Sequence, residues 1–356
     1  MYENPEVGYE EFETSERIVA YLRSRGFTVT KPAYGLETAF VTTVGSSGRE
    51  VIICAEYDAL PVVGHACGHN LIATSALGAG IALQGLAEEL GIRVTILGTP
   101  AEEGSGGKVD LLNAGAFADA SAAMMVHPAP VDVVDPAVLA VRHITVDFHG
   151  KDSHAAAAPQ LGINALDAFV QAYVNVSTLR QALYPTDKIH GIITHGGDAP
   201  NIVPSFTRSS WYIRAADKDR MDELSGRVEA CFAAAAMATG CTWEMTEVGH
   251  RFDNLIADPT MVGLFDANAA ILGRTMSRGA DLPAGEAGST DMGNVSHVVP
   301  TIHPELSLDC YPAVNHQPEF AAHTVSPDGH RALRDGALAM AWTIIDMAEQ
   351  NQWPIA

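Results

Sequence analysis

Basic residues are scarce in this sequence. Lys and Arg together number 21 against 43 Asp and Glu, and the formal net charge is −22 at pH 7. A surface this acidic repels the phosphates of nucleic acids and the headgroups of anionic membranes, so we exclude both as partners. Cationic substrates are compatible with this charge, but a solvated acidic surface is the simpler interpretation.

Cysteines are also few, and no apolar run reaches the length of a membrane span. The five cysteines are odd in number and scattered, which argues against a disulfide framework and for a reducing compartment. The first residues, MYENPEVGYEE, are too polar and acidic for a signal peptide. We therefore predict a cytoplasmic protein that does not enter the membrane.

The 356 residues are enough for two domains. Over residues 1–136, apolar runs alternate with helix-like segments, which predicts a mixed, mostly parallel sheet flanked by helices. The expected helices are 5–26 and 70–90, and the expected strands are 27–30, 38–44, 51–54, 93–98 and 122–126. This part, together with residues 249–356, is predicted to form an α/β catalytic domain.

Residues 137–248 have a different pattern. Strands are expected at 138–148, 189–194, 205–214 and 242–248, with helices at 164–183 and 218–239. The order strand–helix–strand–strand–helix–strand is typical of a ferredoxin-like α+β unit, so we interpret 137–248 as an inserted domain. After it we expect helices at 259–273 and 328–350, and a flexible loop of small residues at 285–289.

One stretch, CAEYDALPVVGHACGH at 54–69, concentrates residues that bind metals. It follows a buried apolar strand, and open α/β sheets place their sites just beyond the carboxyl ends of such strands. Cys67 and His69 offer a thiolate and an imidazole, and Gly68 lets the backbone bend between them. Both ligands suit a borderline-soft ion such as zinc.

Other polar residues follow strands elsewhere in the same domain. Glu102 and Glu103 come after the strand at 93–98, and two ionised neighbours usually need a cation beside them, although a solvated loop pair is the plain alternative. One of them could then ligate while the other acts as general base. His127 ends another strand and His316 lies in a late polar turn. Alone, they would be a core histidine and a loop histidine.

Taken together, these motifs resemble a known family of two-metal amidohydrolases and peptidases. The family includes aminoacylase, acetylornithine deacetylase and the glutamate-releasing carboxypeptidases. The segments AEYDALP, GHACGHN and GSTDMGNVS are most similar to the branch of p-aminobenzoyl-glutamate hydrolase, hippurate and auxin-conjugate hydrolases and Xaa-Arg dipeptidase. The resemblance covers nearly the whole chain.

The resemblance implies a role for each residue of the catalytic domain. Five ligands would hold two divalent ions, zinc first, with manganese or cobalt as alternatives: Cys67 as the bridge, His69, Glu103, His127 and His316. Glu102 would be the general base, and Asp58 would support the site from behind. In other branches a ligand histidine occupies the position of Glu56, so the role is expected to move to His69. His65 is close in sequence, but the branch does not use it.

The resemblance also gives the inserted domain a function as a lid and dimerisation domain. His154, in GKDSHA, is expected to stabilise the oxyanion in the active site of the neighbouring protomer, and Asn201 to contact the substrate. Arg214 is expected to grip a substrate carboxylate through its planar fork, although it could instead be a surface charge on an edge strand. A homodimer is implied.

The implied reaction is hydrolysis of an amide bond by metal-activated water. The expected substrate is an N-acyl amino acid, a dipeptide or an aryl-glutamate conjugate. Two alternatives stay open: a deacetylase of small N-acetylated amines, which does not need Arg214, and a member of the family that binds ligands without catalysis, which does not need Glu102.

Overall fold

The computed structural model describes residues 1–281 and 288–354, and residues 285–287 of the expected loop 285–289 lie outside them. The chain forms two compact units: unit 1 comprises Met1–Ala137 and the residues from Leu255 onward, and unit 2 is Val138–Asn254. Unit 2 runs beyond the expected boundary at 248 because Phe252 still exchanges two backbone hydrogen bonds with Val141, near the start of that unit.

Within the described residues, unit 1 has two stretches of helices and strands. The first stretch contains helices α1 Phe12–Ser24, α2 His69–Leu83, α3 Ala87–Leu90 and α4 Gly107–Asn113, and strands β1 Val41–Val44, β2 Arg49–Ala55, β3 Ile92–Gly98, β4 Ala120–Met124, β5 His127–Ala129 and β6 Val133–Asp135. Unit 2 contains strands β7 Ala140–His149, β8 Lys188–His195, β9 Phe206–Ala215 and β10 Thr242–Glu247, and helices α5 Ala165–Leu179 and α6 Lys218–Thr239. The second stretch of unit 1 contains helices α7 Pro259–Ile271, α8 Met292–Ser296, α9 Pro318–His323 and α10 Pro327–Glu349, and strands β11 Ser277–Arg278, β12 Thr301–Ile302 and β13 Glu305–Ser307.

The main sheet of unit 1 has the strand order β1-β3-β2-β4-β12 over the residues that the structure covers. Only β1 runs antiparallel to its neighbour, which confirms the mixed, mostly parallel sheet. The apolar run that ends β2 is wholly buried, as expected for a strand with both faces covered. Because β2, β3 and β4 are parallel, the segments that carry Asp58, Glu102 and His127 leave the sheet at the same edge.

Helix α2 packs its small residues against this sheet. A Cβ added at Gly80 would lie 2.3 Å from Ile96 Cδ1 of β3, so only glycine allows this approach. The helix expected over 70–90 is interrupted after Leu83, and a separate short helix, α3, follows. Gly85 lies in the interruption, consistent with its low helix propensity.

The N-terminal helix begins at Phe12 rather than at residue 5. Residues 5–11 are irregular, and Tyr9 has a φ of 63°, which a right-handed helix does not accommodate. The strand expected at 27–30 is reduced to a single bridge between Thr30 and Val41. Pro32 follows closely and has no N–H with which to extend that ladder.

Unit 2 is an antiparallel sheet with the order β10-β7-β9-β8, and its helices α5 and α6 share a core with it. This strand order, with the alternation of strands and helices, confirms the ferredoxin-like interpretation. Helix α6 has the predicted bounds, because Asp217 accepts the N–H of Arg220 at its start and Gly240 ends it with a φ of 77°. No helix in the described ranges of either unit is long and apolar enough to cross a membrane.

Candidate metal centre

The five side chains that the sequence predicts as metal ligands fall into three overlapping groups of unit 1. In each group the ligand atoms lie within 4.8 Å of one another. The groups are Cys67 with His69 and His127, Cys67 with Glu103 and His316, and His69 with Glu102 and Glu103. Cys67 is common to the first two groups, as expected of a bridging ligand.

His127 presents one ring nitrogen to Cys67. Its Nε2 lies 3.5 Å from Cys67 Sγ, and its Nδ1 donates to the carbonyl oxygen of Pro128 at 2.8 Å. The backbone bond holds the proton on Nδ1 and leaves Nε2 with a lone pair, which is the arrangement of a metal-ligating histidine. Burial lowers the pKa of His127 well below its usual value, which also favours the neutral ring.

His69 is oriented from behind by Asp58. Nδ1 of His69 lies 3.0 Å from Asp58 Oδ1, and both side chains are buried. Nε2 of His69 makes no hydrogen bond to the described residues and lies 3.9 Å from Glu103 Oε1 and 4.0 Å from Glu102 Oε2. Asp58 also accepts the backbone N–H of Glu103 through Oδ2 at 3.0 Å, so one carboxylate fixes both a histidine and the neighbouring turn.

The two adjacent glutamates differ in their surroundings. Glu102 is 7% exposed, and burial together with the charges of Glu56 and Glu103 raises its pKa well above the usual range. Glu103 is less buried and lies 3.5 Å from His316 Nε2 through Oε1. Burial raises the pKa of Glu103, but His316 and His69 outweigh that effect and lower it. Glu102 therefore has the greater affinity for a proton, as a general base requires.

His316 reaches this cluster from the polar turn before α9. Its backbone φ is 71°, an uncommon value for a residue with a Cβ, and its N–H donates to the carbonyl oxygen of Ala66 at 2.8 Å. Asn315, next to it, donates to the carbonyl oxygen of Pro128 at 3.2 Å. The turn is thus tied to the loop that carries Cys67 and to the strand of His127.

Gly68 makes the close arrangement of Cys67 and His69 possible. Its φ is 83°, in the left-handed region that favours glycine. A Cβ at this position would lie 2.3 Å from Pro128 Cγ. The loop therefore packs directly against the segment that follows His127.

The residues fit divalent ions on their chemistry. Imidazole, thiolate and carboxylate groups converge, and both histidines described above have a ring nitrogen that is left available by the bond of the other nitrogen. An unpartnered buried nitrogen such as His69 Nε2 is costly unless something binds to it. The donor set favours zinc or a similar ion over calcium or magnesium.

A buried ion network behind the ligands has no counterpart in the sequence analysis. The ammonium group of Lys108, wholly buried, contacts a carboxylate oxygen of Glu56 and lies 2.6 Å from Asp291 Oδ1. Burial lowers the pKa of Lys108, but Asp291 and Glu56 outweigh it and hold that pKa well above its usual value. Glu56 Oε2 faces His69 Nε2 at 3.5 Å. Asp291 lies in the motif GSTDMGNVS, which was the available signal.

Two further histidines lie buried in unit 1. His303 stacks on His127 with ring centroids 5.3 Å apart, and burial lowers its pKa to about 4, so it stays neutral beside the ligands. Nothing in the sequence distinguished it. His65 is also buried, but it belongs to none of the candidate metal groups that the described residues form, in line with its expected exclusion.

In unit 2, His154 and Asn201 lie on neighbouring loops. The N–H of Ala155 donates to the carbonyl oxygen of Asn201 at 3.0 Å. Nδ1 of His154 accepts the backbone N–H groups of Ala156 and Ala157 at 3.2 and 3.0 Å. A neutral ring with Nδ1 as acceptor carries its proton on Nε2, and that atom is therefore a donor.

Arg214 lies at the other end of the same strand. Asn201 precedes Phe206, the first residue of β9, whereas Arg214 is next to its last residue, Ala215. Strand β9 is bordered by β7 and β8, so the alternative of a charge on an edge strand is wrong. Arg214 is half-buried, and burial lowers its pKa.

Comparisons with known proteins agree with the resemblance seen in the sequence. Residues 140–239 match the model of the peptidase dimerisation domain of M20 peptidases. The chain is 38% identical to Xaa-Arg dipeptidase of Mus musculus, over 98% of this chain and 84% of that protein. It is 32% identical to a component chain of the p-aminobenzoyl-glutamate hydrolase of Escherichia coli, over 71% of this chain and 56% of that protein.

Solved structures share the fold. A dinuclear metal-binding peptidase of the M20 family from Bacillus subtilis aligns with a TM-score of 0.75 at 20% identity, over 98% of this chain and 95% of that one. An aminobenzoyl-glutamate utilization protein from Klebsiella pneumoniae aligns with a TM-score of 0.70 at 20% identity, over 92% of each chain. The chain therefore belongs to the M20 peptidase family, and it is a metal-dependent hydrolase of amide or peptide bonds.

Proposed function

We propose that this chain hydrolyses the amide bond of an N-acyl amino acid, a dipeptide or an aryl-glutamate conjugate, with Glu102 as the general base. The observation that carries the proposal is the position of Glu102. This buried carboxylate has a raised pKa and lies in the same cluster as all five candidate ligands. A protein that only binds ligands has no need of such a base.

The proposed centre holds two divalent ions, zinc first, with manganese or cobalt as alternatives. Its ligands are Cys67, His69, Glu103, His127 and His316. When bound, the ions supply a nucleophilic water at neutral pH and polarise the substrate carbonyl. Asp58 holds His69 and the turn of Glu103 in position through hydrogen bonds at 3.0 Å.

Proton transfer is assigned to Glu102. Its Oε atoms take a proton from the attacking water and deliver it to the nitrogen of the leaving amine. The Nε2–H of His154 donates to the oxyanion that forms on the substrate carbonyl. The charge pair of Glu56 and Lys108 keeps an ionised carboxylate beside His69.

The substrate carboxylate is assigned to Arg214 and a further substrate contact to Asn201. Phe206 and Arg214 are eight residues apart on β9, or roughly 26 Å at the rise of a strand, and Asn201 lies beyond Phe206. A dipeptide spans only about 7 Å of backbone. One such substrate cannot contact both residues of a single chain, and this supports a site completed by two chains.

A homodimer follows from that proposal. Residues 140–239 match a peptidase dimerisation domain, which supports the same conclusion. We propose that His154 and Asn201 come from one protomer and that Arg214 and the metal ligands come from the other. The cytoplasm is the proposed location.

The relatives suggest which substrates to test. Two of them are named Xaa-Arg dipeptidase, and another is named for p-aminobenzoyl-glutamate hydrolase. A dipeptide with a C-terminal arginine is accordingly our preferred substrate, and p-aminobenzoyl-glutamate is the next. A C-terminal arginine is cationic, which is compatible with the net charge of −22.

Turnover of a dipeptide should be compared with turnover of the same dipeptide blocked as its C-terminal amide, on metal-loaded protein. We expect kcat/KM to fall by about 100-fold on blocking, because the fork of Arg214 then lacks a charged partner. Equal turnover of both forms, or hydrolysis of simple N-acetylated amines alone, would favour the deacetylase alternative. No turnover of any amide would favour the binding member.

A further inference from the structure

The turn that carries Glu102 and Glu103 contains a strained residue. Ala101, directly before Glu102, has a φ of 58°. A residue with a Cβ avoids this left-handed region, because the Cβ approaches the neighbouring carbonyl oxygen. Such a conformation persists only where the surrounding contacts impose it. The contacts of Ala101 therefore decide where the two glutamates point.

Hydrogen bonds hold Ala101 from two sides. Its N–H donates to Oε1 of Glu11 at 2.8 Å. Its carbonyl oxygen accepts the N–H groups of Gly106 and Gly107, both at 3.0 Å. The acceptor for the N–H is the only one of these partners that comes from the N-terminal segment, and it is a side chain rather than backbone.

The segment that precedes Glu11 packs against the same turn. A Cβ built on Gly8 would lie 3.0 Å from both Cα and Cβ of Ala101, so the two backbones are in direct contact. The carbonyl oxygen of Glu6 accepts the N–H of Ala59, next to Asp58, at 2.8 Å. Residues 6–11 therefore contact the turn of Ala101 and the loop of Asp58 together.

Glu11 is an unusual residue for a purely structural contact. It is 0% exposed, and burial raises its pKa to about 7. Removing a carboxyl group from water is unfavourable unless its hydrogen bonds are replaced. Glu11 belongs to none of the candidate metal groups among the described residues, so its position is not explained by metal binding.

We propose that Glu11 is a positioning residue, which holds Ala101 in its left-handed conformation and thereby sets the directions of Glu102 and Glu103. This inference rests on the proposed function, because it assumes that Glu102 is the base and Glu103 a ligand. The N-terminal segment is then part of the catalytic apparatus, although it contributes no group that touches the substrate.

The test replaces Glu11 in the full, metal-loaded chain. Glu11→Met preserves length and suits a buried site, but it offers no acceptor to the Ala101 N–H. We expect kcat to fall by about 100-fold with KM within about twofold, because a small misplacement of the base is costly for chemistry and not for binding. Glu11→Gln keeps an acceptor oxygen and should recover most of kcat. Glu10→Ala, at the exposed neighbouring position, is the control and should match the wild type.

The visible spectrum of the Co²⁺-loaded protein gives a readout that needs no turnover. In Glu11→Met the d–d bands should shift, because Glu103 moves with the turn, while Glu11→Gln and Glu10→Ala should retain the wild-type spectrum. A wild type without turnover would defeat the proposed function, yet the spectra would still decide the role of Glu11. Wild-type kcat and spectrum in Glu11→Met would overturn the inference, and so would equal losses in Glu11→Met and Glu11→Gln.

Should Glu11→Met not fold, Ala101→Gly can be added to it. Glycine adopts the φ of residue 101 without strain, so the double variant should fold if strain is what Glu11 offsets. Failure of the double variant to fold would also overturn the inference.

Discussion

Glu102 is the side chain on which the chemistry depends. Its burial and the neighbouring carboxylates raise its pKa, and it lies 4.0 Å from His69 Nε2. Glu102→Gln preserves shape and removes the ability to take a proton. We expect kcat to fall by about 100- to 10,000-fold, while metal content, measured by inductively coupled plasma mass spectrometry, stays at the wild-type value. A kcat within a few-fold of wild type would remove Glu102 from its role.

The sequence predicted the ligand set because each member is a strong ligand type close to the end of a strand or in a polar turn. Cys67, His127 and His316 are examples, and the structure brings all three into the candidate groups. Their assignment as ligands stays a prediction.

Lys108, Glu11 and His303 were missed for a physical reason. Their significance comes from burial and from partners remote in sequence, such as Asp291 for Lys108 and Ala101 for Glu11. A local pattern contains neither burial nor long-range pairing. A lysine or glutamate in an ordinary helix or loop is usually solvated, and this expectation fails at these positions.

At the level of elements, regular segments were predicted best. Helix α6 has a capping Asp217 and a terminal Gly240, so local chemistry fixes both of its ends. Residues 5–11 were predicted as helix because their polar and apolar residues alternate suitably. They are irregular instead, because their contacts with Ala101 and Ala59 are tertiary and override propensity.

The loop between β2 and α2 depends on Gly68. Gly68→Ala introduces a Cβ at a φ of 83° and 2.3 Å from Pro128 Cγ. We expect the free energy of unfolding of the metal-free protein, from urea titration, to fall by about 1–3 kcal/mol. Gly85→Ala is the matched control, since an added Cβ meets nothing within 4 Å there, and it should change stability by less than about 0.5 kcal/mol. Equal effects of both substitutions would contradict this explanation of the loop.

At the level of the whole molecule, the account requires two chains for one site. His154→Ala and Glu102→Gln homodimers should both be nearly inactive. A heterodimer of the two variants contains one site with both defects and one with neither, if His154 serves the partner. Such heterodimers should regain about half of the wild-type activity per dimer. Mixtures made under conditions that allow protomers to exchange should be assayed against each variant alone.

No recovery in the mixture would mean that His154 serves its own chain. Full activity in a protein that sedimentation shows to be monomeric would have the same meaning. Either result would leave the distance between Asn201 and Arg214 along β9 without a functional explanation.

Metal dependence is the central claim, and reconstitution tests it most directly. The chain should be stripped with a chelator and titrated with Zn²⁺, while turnover of an Xaa-Arg dipeptide and bound metal per chain are measured on the same samples. The account predicts no turnover in the stripped protein and a rise that is complete at two ions per chain, because the candidate groups share Cys67 and use His69, Glu103, His127 and His316. Undiminished turnover by protein shown to be metal-free would contradict it.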